Sequence, residues 1–355
     1  MHMHHKLDDS RGVPEDVLSP DRLATWMDAK GLGCGPISGV QRLGGGTQNV
    51  VLSFQRENRV YVLRRPPVQG RADGSQTMVR EATVLDGLRD SAVPHPELIA
   101  ACTDESVLGS SFYLMEPIDG FNPASALPAA LRDDPAAMRE LAFAMVDALV
   151  ALAQVDVTKA PLTELGSKPG WIERQVPRWA RRLDALERLH TYQPLPKART
   201  EAVRAWLAGR LPNDERLGLV HGDFTFANVL VDHLRPELAA VVDWELASIG
   251  DPRLDVAHFV ISLSMRRVPG LWDLEGIPGI PAPRDLIEAY ASRTGTDIED
   301  MRWFQILAGF RLLTLLEETV GRAAGGDASR KLATTFRRIT EQLLDHVESL
   351  TLQRN

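Results

Sequence analysis

The chain has 355 residues, a length that predicts two domains or lobes at about 100 to 200 residues each. Its 40 Lys and Arg against 48 Asp and Glu leave a net charge of −8, and no long basic run occurs, which disfavours a nucleic-acid partner. Two separated cysteines, and the lack of an apolar stretch near the about 18 residues of a membrane span, predict a cytoplasmic protein with neither a disulfide framework nor a membrane partner.

A leading helix and a small antiparallel sheet are predicted for the first 116 residues. Ser19 and Pro20 have the character of an N-cap and a first helical residue, and Gly31 ends this helix. Residue types and spacing then predict strands at 50–54, 60–63, 97–102 and 111–115, a polar turn at 56–59 and a helix at 76–88. We therefore expect a small sheet with one packed helix.

After residue 116 the composition shifts to helix formers. Asp134 and Pro135 begin a predicted helix whose apolar residues recur every three or four positions, and similar apolar faces recur at 304–313 and 332–347. The remainder of the chain is therefore predicted to form a larger, mainly helical lobe. Its exception is a hairpin of two short apolar strands, at 229–231 and 238–242.

The ends of that hairpin carry the first chemical signal. Asn228 precedes its first strand and Asp243 follows its second, so antiparallel pairing would bring them to roughly 5 Å from each other. Facing the loop HGD at 221–223, they would form a pocket of oxygen ligands suited to Mg²⁺. Asp223 precedes Asn228 by five positions, a spacing that places a base beside a metal ligand in phosphoryl-transfer enzymes. Either residue alone would more commonly cap a turn.

A second signal lies in the predicted helix at 76–88. Met78, Glu81 and Leu85 fall on one face, so Glu81 is expected to point inward and to need a cationic partner. Arg64 and Arg65 end the nearest strand, and alternation turns only one of them toward this helix. The position of Arg64 favours it as a phosphate-binding cation. A plain buried ion pair without a ligand is the alternative interpretation.

A third candidate is the segment GGGTQN at 44–49, between two strands of the same sheet. Backbone N–H groups of such a segment can approach phosphates closely because glycine has no Cβ. A glycine-rich hairpin turn is the commoner explanation of such a segment. The segment lacks the G-x-x-x-x-G-K-[ST] pattern, so it is not a Walker A loop.

These features follow the chain order of the protein-kinase signature set. Through HGDFTFAN at 221–228, VDWE at 242–245 and GDPRLD at 250–255, the sequence resembles the aminoglycoside phosphotransferase-like small-molecule kinases, which share the protein-kinase-like fold. YVLRRPP at 61–67 and FYLMEP at 112–117 look like the branch related to the kinase-like domains found with acyl-CoA dehydrogenases.

The resemblance covers roughly residues 36 to 345 and implies an α+β, two-lobed protein-kinase-like fold. Residues 1–116 would be the nucleotide-binding lobe, with the leading helix. Residues 117–355 would be the helical lobe that carries the catalytic loop, the metal site and a substrate-binding insert.

The resemblance also implies a role for each matching residue. Asp223 would be the catalytic base that accepts the proton of the substrate hydroxyl, while Asn228 and Asp243 would hold Mg²⁺ on the nucleotide phosphates. Asp255 would steady the loop at His221. The residues implied to contact ATP or GTP, or to position a residue that does, are Gly45, Gly46, Thr47, Asn49, Arg64, Glu81, Met115 and Glu116.

Three positions depart from the pattern of relatives. Arg64 stands where many of them have Lys, and its planar guanidinium would bind phosphate bidentately. The segment at 44–49 lacks the G-x-G-x-x-G spacing of protein kinases, which leaves its phosphate contacts open. Glu245 stands where protein kinases have Gly, and both a second-metal ligand and a solvated carboxylate are consistent with it.

Charge counts bear on the acceptor. The stretch 266–331 in the helical lobe holds ten acidic and nine basic residues, whereas a polycationic aminoglycoside would favour an acidic excess. The predicted helix at 173–189 carries arginines that could meet an anionic ligand such as a CoA moiety or form a solvated basic face. They are Arg174, Arg178, Arg181, Arg182 and Arg188.

The leading hypothesis is an ATP- or GTP-dependent kinase that phosphorylates a hydroxyl group of a small molecule, with a hydroxyacyl-CoA-like compound as one candidate acceptor. An aminoglycoside-resistance kinase would use the same chemistry on another acceptor. A non-catalytic module that binds nucleotide or acyl-CoA is the alternative from a different class. The sequence does not distinguish ATP from GTP and leaves the oligomeric state open.

Overall fold

A five-stranded antiparallel sheet occupies the first part of the chain in the computed structural model, which describes residues 17–43, 49–68, 73–166, 169–265, 267–268, 272–325 and 329–353. Its spatial order is β1-β2-β3-β5-β4. The strands are β1 (Ile37–Arg42), β2 (Val50–Arg56), β3 (Arg59–Arg65), β4 (Leu98–Cys102) and β5 (Phe112–Met115). The four strands for which the sequence predicted bounds within the first 116 residues are all present.

The turn between β2 and β3 is shorter than predicted. Pairing continues to Arg56 opposite Arg59, which leaves a two-residue turn whose first residue, Glu57, has φ 52°. Arg56 is only 1% exposed, and its guanidinium donates to the carbonyl oxygens of Gly35 and Ala24 at 3.1 and 3.2 Å. A polar residue therefore continues the strand because partners distant in sequence satisfy it.

Helices cover both faces of this sheet. They are α1 (Pro20–Ala29), α2 (Gly74–Leu88) and the short α3 (Glu105–Leu108). On one face, Leu52 and Leu63 pair across β2 and β3 and share a core with Leu23 of α1. On the other face, Met78 and Leu85 of α2 belong to a core that continues into the helical part of the chain. The inward side of α2 is thereby held against both lobes.

The rest of the chain is mainly helical, as predicted. Its helices are α4 (Ala129–Arg132), α5 (Pro135–Ala153), α6 (Trp171–Leu186), α7 (Lys197–Ala208), α8 (Arg253–Ser264), α9 (Pro283–Thr294), α10 (Met301–Ala324) and α11 (Arg330–Leu352). Asp134 caps α5 by accepting the N–H of Ala136 at 2.8 Å. No helix within the described ranges combines the length and the hydropathy needed to cross a bilayer.

Six short strands accompany these helices, and four of them frame the loops that carry the motif residues. All six are β6 (Gly218–Val220), β7 (Val229–Val231), β8 (Leu238–Val241), β9 (Ser248–Gly250), β10 (Arg267–Val268) and β11 (Trp272–Asp273). β7 pairs with β8 and β6 pairs with β9, both antiparallel. The N–H of Val242 donates to the carbonyl of Asn228 at 3.0 Å, which continues the β7–β8 pairing to the edge of the site.

Candidate active site

The loop between β6 and β7 is held by a buried carboxylate. Asp255, in the first turn of α8 and 1% exposed, accepts the N–H of His221 at 2.6 Å and that of Gly222 at 2.8 Å. This is the contact that the resemblance implied for Asp255. Gly222 has φ 86°, and a Cβ there would lie 2.7 Å from the carbonyl oxygen of Leu246, so both backbone conformation and space require glycine.

Each carboxylate oxygen of Asp223, the predicted base, has a polar side-chain partner. Nδ2 of Asn228 donates to Oδ2 at 2.8 Å, and Nε2 of His258 lies 3.0 Å from Oδ1. Burial opposes its ionisation, but the interactions with His258 and Asn228 outweigh that effect and hold the pKa of Asp223 below its usual value. The side chain is still 38% exposed. The carboxylate is therefore charged, oriented and open to a substrate at neutral pH, as a general base requires.

His258 is a contact that the sequence analysis missed. It is fully buried in α8 and lies three residues after Asp255, so both side chains project from the same side of the helix. Helical spacing could have identified His258 once Asp255 had been singled out. α8 thus supports the loop at 221–223 twice, through the backbone at residues 221–222 and through the carboxylate of Asp223.

We expect His258→Asn to lower kcat by about 10- to 100-fold, because the shorter side chain no longer reaches Asp223 and the carboxylate loses its orientation. The pKa of Asp223 should rise when this partner is lost, which moves the acid limb of the pH–rate profile to higher pH. Steady-state kinetics over pH 5 to 9 would measure both effects. His346→Asn, a half-buried histidine on α11, is the control, and an unchanged kcat and profile in folded His258→Asn would contradict the assignment.

The two predicted metal ligands lie at adjacent ends of the β7–β8 hairpin. Nδ2 of Asn228 donates to the carbonyl and carboxylate oxygens of Asp223, both at 2.8 Å, so its Oδ1 faces away from Asp223. Asp243 has φ 68°, an uncommon conformation for a residue other than glycine. Its Oδ1 lies 2.5 Å from Nη2 of Arg64. Both residues therefore present an oxygen at the same edge of the hairpin.

Arg64 links the two lobes. Its Nε lies 2.9 Å from Oε2 of Glu81, which is fully buried and also accepts a hydrogen bond from the hydroxyl of Tyr113 at 2.8 Å. Burial opposes the charge of Arg64, but the carboxylates of Glu81 and Asp243 outweigh it and raise the pKa of the guanidinium. Arg65 is also buried, but its Nε donates to a main-chain carbonyl rather than to Glu81. The choice of Arg64 as the partner of Glu81 agrees with the structure.

Three carboxylates converge beside Arg64. One oxygen each from Glu81, Asp243 and Glu245 lies within 4.8 Å of the others. Burial and the carboxylates of Asp243 and Glu81 raise the pKa of Glu245 to about 7, and Nδ2 of Asn49 donates to Glu245 at 3.4 Å. Glu245 is thus half-buried rather than a solvated carboxylate. The negative charge of these clustered oxygen donors exceeds the single positive charge of Arg64. Such a cluster fits a Mg²⁺ ion.

We expect Asp243→Ala to remove the Mg²⁺ dependence of nucleotide binding, because Asn228 can supply an oxygen ligand but no negative charge. Thermal shift with ATP, with and without Mg²⁺, would measure this. The added stabilisation by Mg²⁺ should disappear in the variant and persist in Glu237→Ala, which changes an exposed carboxylate of the same hairpin. An undiminished Mg²⁺ effect in a folded Asp243→Ala protein would contradict the prediction.

The remaining predicted nucleotide contacts are only partly described by the structure. Gly45, Gly46 and Thr47 lie outside the described residues. Met115 ends β5, between β3 and β4, and Glu116 follows with its side chain paired to Arg59. Their contact with a nucleotide base stays a prediction.

Comparison with known proteins identifies relatives over most of the chain. Residues 39–304 match the family model described as "Phosphotransferase enzyme family". Acyl-CoA dehydrogenase family member 11 of Gallus gallus is 29% identical over 317 residues, which cover 86% of this chain and 39% of that protein. Family member 10 of Mus musculus is 28% identical over 307 residues, covering 84% of this chain and 28% of that protein. The chain thus spans about two-fifths or less of the length of these relatives.

Solved structures share the fold. A "putative aminoglycoside phosphotransferase" of Ralstonia eutropha JMP134 has a TM-score of 0.76 at 26% identity, covering 93% of this chain and 98% of that one. A thermostable mutant of aminoglycoside phosphotransferase APH(4)-Ia, in a ternary complex with ADP and hygromycin B, has a TM-score of 0.60 at 16% identity, with coverages of 93% and 98%. The GDP complex of wild-type aminoglycoside 2′-phosphotransferase-IIIa has a TM-score of 0.64 at 13% identity, with coverages of 92% and 99%. The predicted two-lobed, protein-kinase-like fold is confirmed.

Proposed function

Because the chain belongs to the phosphotransferase enzyme family, we propose that it is a kinase that transfers the γ-phosphoryl group of ATP or GTP to a hydroxyl group of a small molecule. The observation that carries the proposal is the joining of Asp223, Asn228 and Asp243 in one site. Asn228 donates to the carboxylate of Asp223 at 2.8 Å, and the N–H of Val242, the residue before Asp243, donates to the carbonyl oxygen of Asn228 at 3.0 Å. Structures of similar fold hold ADP or GDP, which supports a nucleotide co-substrate and leaves ATP and GTP both open.

The proposed step moves one phosphoryl group and one proton. The hydroxyl oxygen of the acceptor forms a bond to the γ-phosphorus, while the bond from that phosphorus to the β–γ bridging oxygen breaks and releases ADP or GDP. Asp223 takes the hydroxyl proton, and Arg64 binds phosphate oxygens while Glu81 orients its guanidinium. A Mg²⁺ ion bound at Asn228 and Asp243 would supply positive charge that neutralises the phosphate oxygens.

For the acceptor, we propose a hydroxyacyl-CoA-like compound. The names of the curated relatives, both acyl-CoA dehydrogenase family members, support this choice. The near balance of ten acidic and nine basic residues over 266–331 also disfavours a polycation held by electrostatics. An aminoglycoside kinase is the second candidate, because hygromycin B is bound in one structure of the same fold. A non-catalytic module for nucleotide or acyl-CoA is the third.

A nucleotide-consumption screen distinguishes these functions. ATP and GTP would each be tested with Mg²⁺ against hydroxyacyl-CoAs, aminoglycosides and other hydroxylated metabolites, with Asp223→Asn protein prepared in parallel to reveal contaminating kinases. We expect Mg²⁺-dependent phosphorylation of a hydroxyacyl thioester by the wild type alone. Phosphorylation of kanamycin-like compounds with kcat/KM above about 10⁴ M⁻¹s⁻¹ would favour the resistance kinase. Nucleotide binding without consumption of nucleotide across the whole panel would favour the binding module.

A further inference from the structure

A cavity of about 140 Å³ lies beside Glu245, between the two lobes. Four arginines line it: Arg80 on α2, Arg178 and Arg182 on α6, and Arg311 on α10. Glu245 is the single carboxylate among the described lining residues. We call this space the arginine cavity. Its lining carries an excess of positive charge in a chain whose net charge is −8.

Arg311 is the most unusual of the four. The residue is 6% exposed, and Nη2 donates to the carbonyl oxygen of Gly222 at 3.3 Å. Its Nε and Nη1 are buried and have no hydrogen-bond partner among the residues that the structure describes. Burial lowers the pKa of Arg311 to about 10, so the side chain is still protonated at neutral pH. Buried charged donors are costly without a partner, and these two border a cavity.

A tryptophan holds the arginines of α6 and α10 together. The guanidinium carbons of Arg182 and Arg311 lie 4.5 and 4.8 Å from the ring centroid of Trp179, and that of Arg178 lies 5.5 Å from it. Trp179 is 2% exposed and is fixed by a hydrogen bond from its Nε1 to Gln175. Cation–π contact with one rigid ring positions guanidinium groups that would otherwise repel each other.

The charges of the cavity are only partly balanced. Arg182 makes a bidentate ion pair with Glu318, with both contacts at 2.7 Å. Arg80 donates to the carbonyl oxygen of Ala247 at 3.2 Å, and neither it nor Arg178 forms an ion pair with a carboxylate in the described part of the chain. Partial burial at the cavity wall and the neighbouring guanidinium groups of Arg182 and Arg80 lower the pKa of Arg178, although the residue as a whole is exposed. An anion entering here would relieve this repulsion.

We infer that the arginine cavity binds a phosphate or carboxylate group of the acceptor, so that the substrate is an anionic hydroxyl compound. The identification of this anionic ligand as the acceptor rests on the proposed kinase function. Arg311 connects the cavity to the loop of Asp223, because its Nη2 donates to the carbonyl oxygen of Gly222, the residue before Asp223. Guanidinium groups present paired N–H donors that match both phosphate and carboxylate oxygens.

The arginines on the predicted helix at 173–189 divide between the cavity and the surface. Arg178 and Arg182 line the cavity, whereas Arg181 of the same helix is exposed and does not. Arg80 and Arg311 come from helices about a hundred or more positions away in sequence, so composition of one helix could not reveal the site. The five arginines are therefore neither one solvated face nor one ligand site.

Calorimetric titration with inorganic phosphate tests the site without requiring turnover. We expect phosphate to bind the wild-type protein, and binding to weaken about tenfold or more in Arg178→Ala and Arg311→Met, because each change removes charged donors. Arg181→Ala, on the same helix, should bind phosphate like the wild type. Acetate and its amide acetamide form a second pair of probes, in which acetate alone should bind if a carboxylate is the natural group.

Equal phosphate affinity in Arg178→Ala, Arg311→Met and wild type, or binding of neither phosphate nor acetate at millimolar concentration, would overturn the inference. If thermal melting shows that Arg311→Met does not fold, Arg178→Ala decides the matter, because Arg178 is exposed and its loss leaves the core intact. If phosphate binds at the nucleotide site rather than in the arginine cavity, Arg64→Ala should abolish binding and Arg178→Ala should keep it. That result would also contradict the inference. A failure of the kinase proposal would leave all of these binding results unaffected.

Turnover then connects the cavity to the acceptor. Hydroxy acids would be compared with their methyl esters, and phosphate monoesters of diols with the parent diols. For the preferred anionic class, the wild-type kcat/KM should be at least about tenfold higher than that for the matching neutral compound. Arg178→Ala should lose this preference because KM for the anionic compound rises, while kcat stays nearly unchanged. Equal kcat/KM for the charged and neutral partners in the wild type would contradict the assignment of the cavity to the acceptor.

Discussion

Asp223→Asn is expected to lower kcat by about 10²- to 10⁴-fold, the usual contribution of a positioned general base, while the affinity for Mg²⁺–nucleotide stays nearly unchanged. The reason is that the base acts on the acceptor hydroxyl, whereas the predicted metal ligands are Asn228 and Asp243. Steady-state kinetics with an acceptor identified in the screen would give kcat. Calorimetry with a non-hydrolysable ATP analogue and Mg²⁺ would give the nucleotide affinity separately.

The geometry makes this substitution a specific test. An asparagine at 223 can accept from Asn228 with its oxygen and donate to Nε2 of His258, provided that the imidazole carries its proton on Nδ1. The variant should therefore fold and keep the shape of the loop. Asp119→Asn, which changes a fully exposed aspartate, is the control and should keep full activity. If Asp223→Asn retains more than about a tenth of the wild-type kcat, Asp223 is not the base.

Arg64→Ala is expected to reduce both nucleotide affinity and stability. Glu81 is fully buried, and without the guanidinium at 2.9 Å it would keep only the hydroxyl of Tyr113 at 2.8 Å as a partner. Removing one member of a buried pair costs about 3 to 5 kcal/mol because the remaining charge is desolvated and uncompensated. Chemical denaturation would measure the free energy of unfolding. Arg89→Ala is the control, because Arg89 pairs with Asp86 on the surface and such pairs contribute only about 0 to 1 kcal/mol.

A double-mutant cycle separates the two roles of Arg64. Adding Glu81→Gln removes the buried charge, so the double variant should recover part of the stability lost in Arg64→Ala. It should recover none of the nucleotide affinity, because the phosphate-binding cation is still absent. Additive stability losses across the cycle would show that Arg64 and Glu81 are not coupled. Unchanged nucleotide affinity in Arg64→Ala would show that the guanidinium does not bind phosphate.

Elements with a strong local pattern could be predicted from the sequence, and their ends less well. The predicted helix at 76–88 is present and begins two residues earlier, as α2 (Gly74–Leu88). The predicted turn at 56–59 was too long. Arg56 belongs to the strand and is buried, because carbonyl oxygens before β1 accept hydrogen bonds from its guanidinium. Hydrophobic periodicity reports which face of an element is buried, but a polar residue satisfied by distant partners looks like a surface residue.

By itself the sequence determined the order of the elements and the inward face of α2 with Glu81. It also determined the loop and hairpin ends that carry Asp223, Asn228 and Asp243. Short-range spacing and residue type encode all of these features. Only the tertiary structure decided which side chains meet across the lobes. Arg64 and Asp243 are 179 positions apart in sequence, yet Nη2 of Arg64 lies 2.5 Å from Oδ1 of Asp243. The arginine cavity likewise assembles from α2, α6 and α10. Such contacts arise from the packing of whole helices on a common core, and local periodicity carries no information about the partner that each face will find.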